Sequence, residues 1–285
     1  MTLIQILILA IVQGAAELLP VSSSAHVIVA EKLLGLDPTR PELTLLLVML
    51  HTGTMFAVIL FFWNAWKASF FNSWKDFWGF FRLLVAATCL TGVVGLVLKV
   101  LIEKIALKGT PHAEIEMIFG NLTLISASLA VVGGLIIYSG LKHQRPSAAG
   151  SAVDLRGACS MGAIQGFCLP LRGFSRSGAT ISAGLILGLS RKRVEEFSFA
   201  LAVVLTPPII VREVLRLLKA QHAAAGAGGF TLFAPSLAGM VLSFGAGLLA
   251  LRWLSAWLEE GRWYLFGIYC ICASLLTFVL SWSGM

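Results

Sequence analysis

Apolar residues run along this chain in long unbroken blocks, without the one-sided stripe of a surface helix or the alternation of a half-buried strand. Six blocks reach or approach the ~20 residues that a helix needs to cross hydrocarbon. They cover 43–63, 83–102, 117–138, 197–217, 230–251 and 264–282. Pro207-Pro208 is expected to kink the fourth. Four shorter blocks, 3–12, 27–36, 158–164 and 181–189, cannot span. They flank two polar stretches that resemble each other. The first is Gln13-Gly14-Ala15-Ala16-Glu17-Leu18-Leu19-Pro20-Val21-Ser22-Ser23-Ser24-Ala25-His26. The second is Gln165-Gly166 followed by Gly173-Phe174-Ser175-Arg176-Ser177-Gly178-Ala179-Thr180. Each pair of short blocks is predicted to form two half-helices joined by a polar turn, entering and leaving on one side. Irregular backbone at membrane depth is tolerated only where protein covers it or a wet cavity receives it.

Crossings then set the topology. Each half holds one hairpin without net crossing and three spans. An odd number of spans starts the second half on the opposite side, so the halves are inverted and their hairpin tips can meet near the midplane. Paired interrupted segments in two inverted halves point to a site at the repeat interface. The predicted fold is an all-α polytopic membrane protein with about six transmembrane helices and two re-entrant helical hairpins arranged as an inverted repeat. It forms a single integral membrane domain over residues 1–285, with halves 1–150 and 151–285.

Composition agrees. The 285 residues are 58% hydrophobic and 12% charged, with mean hydropathy +0.90. A soluble domain has about 25% charged residues, so this chain could not cover its own surface in water. The net charge of +7 fits Lys and Arg in loops, with attraction to lipid headgroups as a second role, rather than nucleic-acid binding. The loop charges slightly favour both termini facing outward. Eight tryptophans, Trp63, Trp66, Trp74, Trp78, Trp253, Trp257, Trp263 and Trp282, fall at or near predicted span ends, as interfacial rings do. The five cysteines lie in apolar surroundings without metal-ligand spacing and read as buried structural thiols. The N-terminus lacks a signal peptide's basic region and cleavage site and is expected to belong to the mature protein.

Glu17 and Arg176 carry the most information, because either charge at the membrane centre costs roughly 2.5–3.5 kcal/mol on insertion scales unless paired or wet. A purely structural bridge between them is the bland reading, and a purely structural membrane protein leaves their cost unexplained. Ser175, Ser177 and Thr180 set donors beside the guanidinium, while Gly173 and Gly178 let backbone amides approach a ligand. A turn entering a half-helix suits an anion, and Arg offers a planar fork to phosphate oxygens. The expected ligand is phosphate or diphosphate. Ser22, Ser23 and Ser24 offer hydroxyl nucleophiles, with His26 close enough to act as base or acid. Glu17 is expected to orient His26 or to bind a divalent cation with phosphate oxygens. A helix N-cap is the ordinary reading of the serines. His51 reads as a packing residue. Gly92, Gly95, Gly133 and Gly134 read as sites of close helix approach.

The two polar stretches, followed by Glu196-Phe197-Ser198-Phe199, closely resemble the bacterial undecaprenyl-diphosphate phosphatases, also called bacitracin-resistance proteins, along the whole chain. The resemblance implies removal of the terminal phosphate of undecaprenyl diphosphate, which returns the lipid carrier to cell-wall synthesis. It implies that Glu17, His26, Ser175 and Arg176 are required, that Ser23 is the nucleophile, and that Ser22, Ser24 and Thr180 surround it. It also implies dependence on a divalent cation, Mg or Ca, with Glu17 as its expected ligand, and residence in the bacterial cytoplasmic membrane with the site open to the outer side. Two departures stand out. The family's first tip has two glutamates four apart, where this chain has Gln13 before Glu17; its second motif begins Pro-Gly, where this chain has Arg172-Gly173. Gln13 and Arg172 are therefore counted among the substrate-binding candidates, with Ser22, Ser24, Ser175, Ser177 and Thr180. Expected partners are the polyprenyl diphosphate and membrane lipids; a homodimer is compatible with the sequence, and no nucleic acid is expected. The rival function is a transporter flipping undecaprenyl phosphate or a related polyprenyl phosphate between leaflets, motivated by the inverted halves and the carboxylate missing at Gln13.

Overall fold

A computed structural model of the chain describes residues 2–36, 41–106, 118–142, 152–223 and 229–283. The described residues form ten α-helices and no strand. In order they are α1 (Leu3–Leu18), α2 (Ser23–Leu33), α3 (Pro41–Phe70), α4 (Trp74–Leu101), α5 (Leu122–Lys142), α6 (Leu155–Cys168), α7 (Arg176–Ile186), α8 (Arg191–Ala223), α9 (Gly229–Glu259) and α10 (Tyr264–Trp282). A π-helical turn, Ile102–Ala106, continues α4.

Local chemistry fixes several helix starts. A capping box opens α1: Thr2 Oγ1 accepts from the Gln5 amide and Gln5 Oε1 accepts from the Thr2 amide. Ser73 and Asp154 cap α4 and α6 by accepting from the amides of Asp76 and Gly157. Among the described residues, five helices are long and apolar enough to cross a membrane by length and composition: α3, α4, α5, α9 and α10. The predicted block 197–217 lies within α8, which stays helical through Pro207 and Pro208. Met117, the first residue of block 117–138, lies outside the described residues.

The four short blocks also become helices, but the polar stretches are not all turn. Helix α1 runs through Gln13 and Glu17 to Leu18, so only residues 19–22 separate it from α2. Polarity ended the apolar pattern without breaking the helix, because Gln, Ala and Glu are good helix formers.

Helix lengths recur in order. The first five helices have 16, 11, 30, 28 and 21 residues, and the second five have 14, 11, 33, 31 and 19. Packing crosses between the halves: α4 lies on α6 and α9 on α1, while α5 and α10 pack together. At the α5–α10 contact Ser126 and Ser274 exchange hydroxyl-to-carbonyl hydrogen bonds, and a Cβ on Gly133 would come 2.9 Å from the Gly267 carbonyl oxygen. Small residues permit this approach. Gly95 similarly meets Leu169 of the loop after α6, but Gly92 and Gly134 face open space, so only half of that expectation holds.

Two other expectations need correction. Trp263 and Trp66 lie near helix ends as expected but are buried in protein, the Trp263 indole N–H reaching the hydroxyls of Ser139 and Ser182 and the Trp66 N–H donated to the Glu196 carbonyl. A buried indole is kept when its N–H finds an acceptor. Of the five free cysteines only Cys168 and Cys270 are buried; Cys89 and Cys272 point outward. Apolar neighbours in sequence do not say which side of a membrane helix faces protein.

Candidate active site

The loop 19–22 and the segment 169–175 are the two tips, and they meet. The Gly173 amide donates to Ser24 Oγ at 3.4 Å, and Ser177 Oγ donates to the Leu19 carbonyl at 3.3 Å. Gly173 is required at this contact. Its φ is +91°, and a Cβ there would lie 2.5 Å from the Ile125 carbonyl oxygen. Ser22 has the left-handed value φ +67°, the one described non-glycine residue that does. Such strain is characteristic of functional turns.

Glu17, at the end of α1, is the centre of the meeting. Arg176 Nη2 donates to its Oε1 at 3.1 Å. Ser23 Oγ donates to its Oε2 at 2.5 Å, and Gln13 Nε2, one helical turn earlier, donates to the same oxygen at 3.1 Å. His51 of α3 brings Nε2 within 3.8 Å of that oxygen. A carboxylate accepting from an ionised donor and a serine hydroxyl is both held in place and set to take the hydroxyl's proton.

The serines divide by contact. Ser22 stands at the N-cap position of α2 but makes no capping bond with its side chain; its hydroxyl bonds to that of Ser24 at 3.2 Å. Ser175 does cap α7, accepting from the Gly178 amide at 3.2 Å. Thr180 turns back to the Arg176 carbonyl and shares a 2.6 Å bond with Ser198. The N-termini of α2 and α7 therefore adjoin one site, each bringing the positive end of a helix dipole to it.

His26 is placed differently from expectation. Its Nδ1 lies 2.8 Å from the Ser22 carbonyl, which can only accept, so Nδ1 carries a hydrogen. Its Nε2 is 2.7 Å from the Tyr269 hydroxyl and in the neutral ring accepts from it, with the two rings stacked. Both ring nitrogens are thus engaged away from Ser23 and Glu17. Arg172 sits outside the centre, exposed, with its guanidinium 4.5 Å from the Phe119 ring.

A small cavity of about 10 Å³, room for about one water molecule, opens beside the pair. Glu17 and Arg176 stand at its polar end with Thr54 and Thr206; Leu18, Met55, Val58, Ala202 and Val203 supply the apolar remainder. His51, Thr54 and Tyr269 are the residues that the sequence reading missed or set aside. His51 and Thr54 are three apart on α3 and share a helix face, a signal that a histidine inside an apolar block already carried. Tyr269 lies 243 residues from His26, and no local pattern links them.

Comparison with known proteins places the whole chain. Residues 6–276 match the family model described as bacitracin resistance protein BacA. An undecaprenyl-diphosphatase 2 of Acinetobacter baylyi is 56% identical over 286 aligned residues, covering 99% of each chain. An undecaprenyl-diphosphatase of Rhodopirellula baltica is 33% identical over 98% of each chain, and an undecaprenyl-diphosphatase 2 of Burkholderia orbicola is 34% identical over 99% of this chain and 97% of its own.

Proposed function

The chain belongs to the bacitracin resistance protein BacA family, and we propose that it is a multi-pass membrane phosphatase that converts undecaprenyl diphosphate to undecaprenyl phosphate and inorganic phosphate. The observation that carries this reading is the contact of Ser23 Oγ with Glu17 Oε2, on a carboxylate whose other oxygen holds Arg176.

The diphosphate docks where the N-termini of α2 and α7 converge, a ready-made anion site. Arg176 commits one nitrogen to Glu17 and lines the cavity, so its remaining donors fork onto phosphate oxygens. Ser23 Oγ attacks the terminal phosphorus while its proton passes to Glu17 Oε2. The bond from phosphorus to the bridging oxygen breaks, and the lipid monophosphate leaves as an anion without needing a proton. Water then attacks the phosphoserine and the bond from phosphorus to Oγ breaks; one proton of that water goes to Ser23 Oγ and the other stays on the phosphate, so the proton taken in the first step remains on Glu17. Glu17, rather than His26, is the base for Ser23; His26 holds the Ser22 turn against Tyr269. The apolar residues beside the pair mark the side along which the first units of the isoprenoid chain approach.

A divalent cation, Mg or Ca, fits this donor set only as a companion of the substrate. Among the described residues no three His, Cys, Asp or Glu side chains group as a cage. Both Glu17 oxygens already accept hydrogen bonds. Mg²⁺ readily takes most of its ligands from phosphate and water, so the cation is assigned to the diphosphate, whose charge it neutralises, and no protein ligand is assigned to it.

The two short-helix pairs are read as re-entrant hairpins of inverted halves within one membrane domain, supported by the recurring helix lengths. In this reading the protein resides in the bacterial cytoplasmic membrane and the site opens to its outer face. The test is reconstitution in vesicles with undecaprenyl diphosphate, following released phosphate and the leaflet of the lipid product together. Phosphate release that falls at least about 10²-fold in Arg176→Ala supports the enzyme, a loss of the size that oxyanion donors give. Lipid phosphate crossing leaflets without hydrolysis supports a transporter instead.

A further inference from the structure

Cleavage of the diphosphate generates a proton. Above the second phosphate pKa of about 6, the diphosphate trianion and water become two phosphate dianions and one H⁺. By the mechanism above that proton arrives on Glu17, whose side chain is only 16% exposed. It must leave before Glu17 can serve the next turnover.

His51 is placed to receive it. Its Nδ1 lies 2.9 Å from the Leu47 carbonyl, one turn back along α3, and a carbonyl only accepts. The hydrogen of the neutral ring is therefore on Nδ1, and Nε2 is a bare lone pair. That lone pair stands 3.8 Å from Glu17 Oε2, the oxygen that Ser23 also touches. That distance is longer than a hydrogen bond, and a small side-chain movement closes it enough for a proton to pass. His51 is also more exposed than Glu17, its side chain 36% exposed against 16%. Among the described residues, Arg176 from α7 is ion-paired with the carboxylate's other oxygen. Val203 of α8 lines the adjoining cavity and Ser243 of α9 donates to the Leu50 carbonyl, and both are neutral.

We propose that His51 is the proton relay of this site, taking from Glu17 Oε2 the proton that Glu17 received from Ser23 and passing it to water. The inference rests on the phosphatase reading and assigns His51 no contact with substrate. It acts through Glu17.

The test uses purified full-length protein and phosphate release from a polyprenyl diphosphate. His51→Gln keeps size and polarity but cannot carry the proton. Its kcat is expected to fall roughly 10²-fold, the usual scale for a lost acid–base group, with KM changed by less than about threefold and the melting temperature held. Position 13 supplies the control, because Gln13 Nε2 lies 3.1 Å from the same oxygen. Gln13→Glu in the His51→Gln background sets a new carboxylate within reach of Glu17 and is expected to recover about tenfold or more of the lost kcat, within the range that one acid–base group supplies. A residue needed only for packing predicts no such recovery. His51→Gln turning over within about threefold of the parent protein overturns the relay, as does a loss that Gln13→Glu leaves unrepaired. Where His51→Gln lowers the melting temperature, His51→Asn is read by the same pair of measurements. Failure of the parent protein to release phosphate would instead refute the phosphatase reading, so the two failures are distinct.

Discussion

Glu17 holds three side chains in place at once, so its replacement separates charge from shape. Glu17→Gln keeps the volume but removes the base for Ser23 and leaves the Arg176 guanidinium facing a neutral amide. Its kcat is expected to fall by roughly 10²–10⁴, the range for a lost general base, measured as released phosphate. It should also melt earlier. Breaking a fully buried pair costs about 3–5 kcal/mol, and this pair, 16% and 20% exposed, should lose less. Tyr269→Phe removes a single hydroxyl from His26 Nε2. One hydrogen bond is worth about 1 kcal/mol, so turnover should drop several-fold and no more; a loss as large as that of Glu17→Gln would mean that His26 itself moves a proton. The sequence made Glu17 and Arg176 conspicuous because charge is costly in an apolar setting. It drew Ser23 and His26 together because they are three apart. Direction was missing: the α1 end aims Glu17 at Ser23, and a tyrosine from the far end of the chain takes His26.

At the scale of elements, helix ends and glycines decide where the site forms. The hydropathy break at Gln13 reads as the start of a turn, yet α1 continues to Leu18 and thereby places Gln13 and Glu17 one turn apart on one face. Residue type sets polarity, while hydrogen bonding along the backbone sets where a helix stops, and the two need not coincide. Glycines show the same limit. Gly133 sits against the Gly267 carbonyl and Gly92 against open space, although both lie in apolar blocks. Gly133→Val should therefore destabilise by about 1–3 kcal/mol, the usual cost of overpacking, while Gly92→Val should be near neutral. Thermal unfolding in detergent compares them, and equal losses would contradict the α5–α10 packing. Gly173→Ala should abolish activity and lower stability together, since both its backbone angle and its contact with Ile125 exclude a side chain.

For the whole molecule, the recurrence of helix lengths between the two halves was foreshadowed by the recurrence of the polar stretches, since each half needed the same interruption to build a tip. Inversion makes a further demand: the outer ends of the two hairpins must face opposite sides of the membrane. Lys32, near the end of α2, and Lys192, at the start of α8, are both exposed. In a background with the five native cysteines replaced, Lys32→Cys and Lys192→Cys should react with an impermeant maleimide from opposite sides; labelling from the same side would contradict the inverted arrangement. The structure brings Ser23 and Glu17 of one tip against Arg176 of the other, beside two helix N-termini. The most direct test is the rate of phosphate release from undecaprenyl diphosphate by Ser23→Ala protein beside the parent at saturating substrate. Loss of the nucleophile predicts a fall of about 10³-fold or more, leaving only what binding and oxyanion contacts supply, whereas release within about threefold of the parent would contradict attack by Ser23.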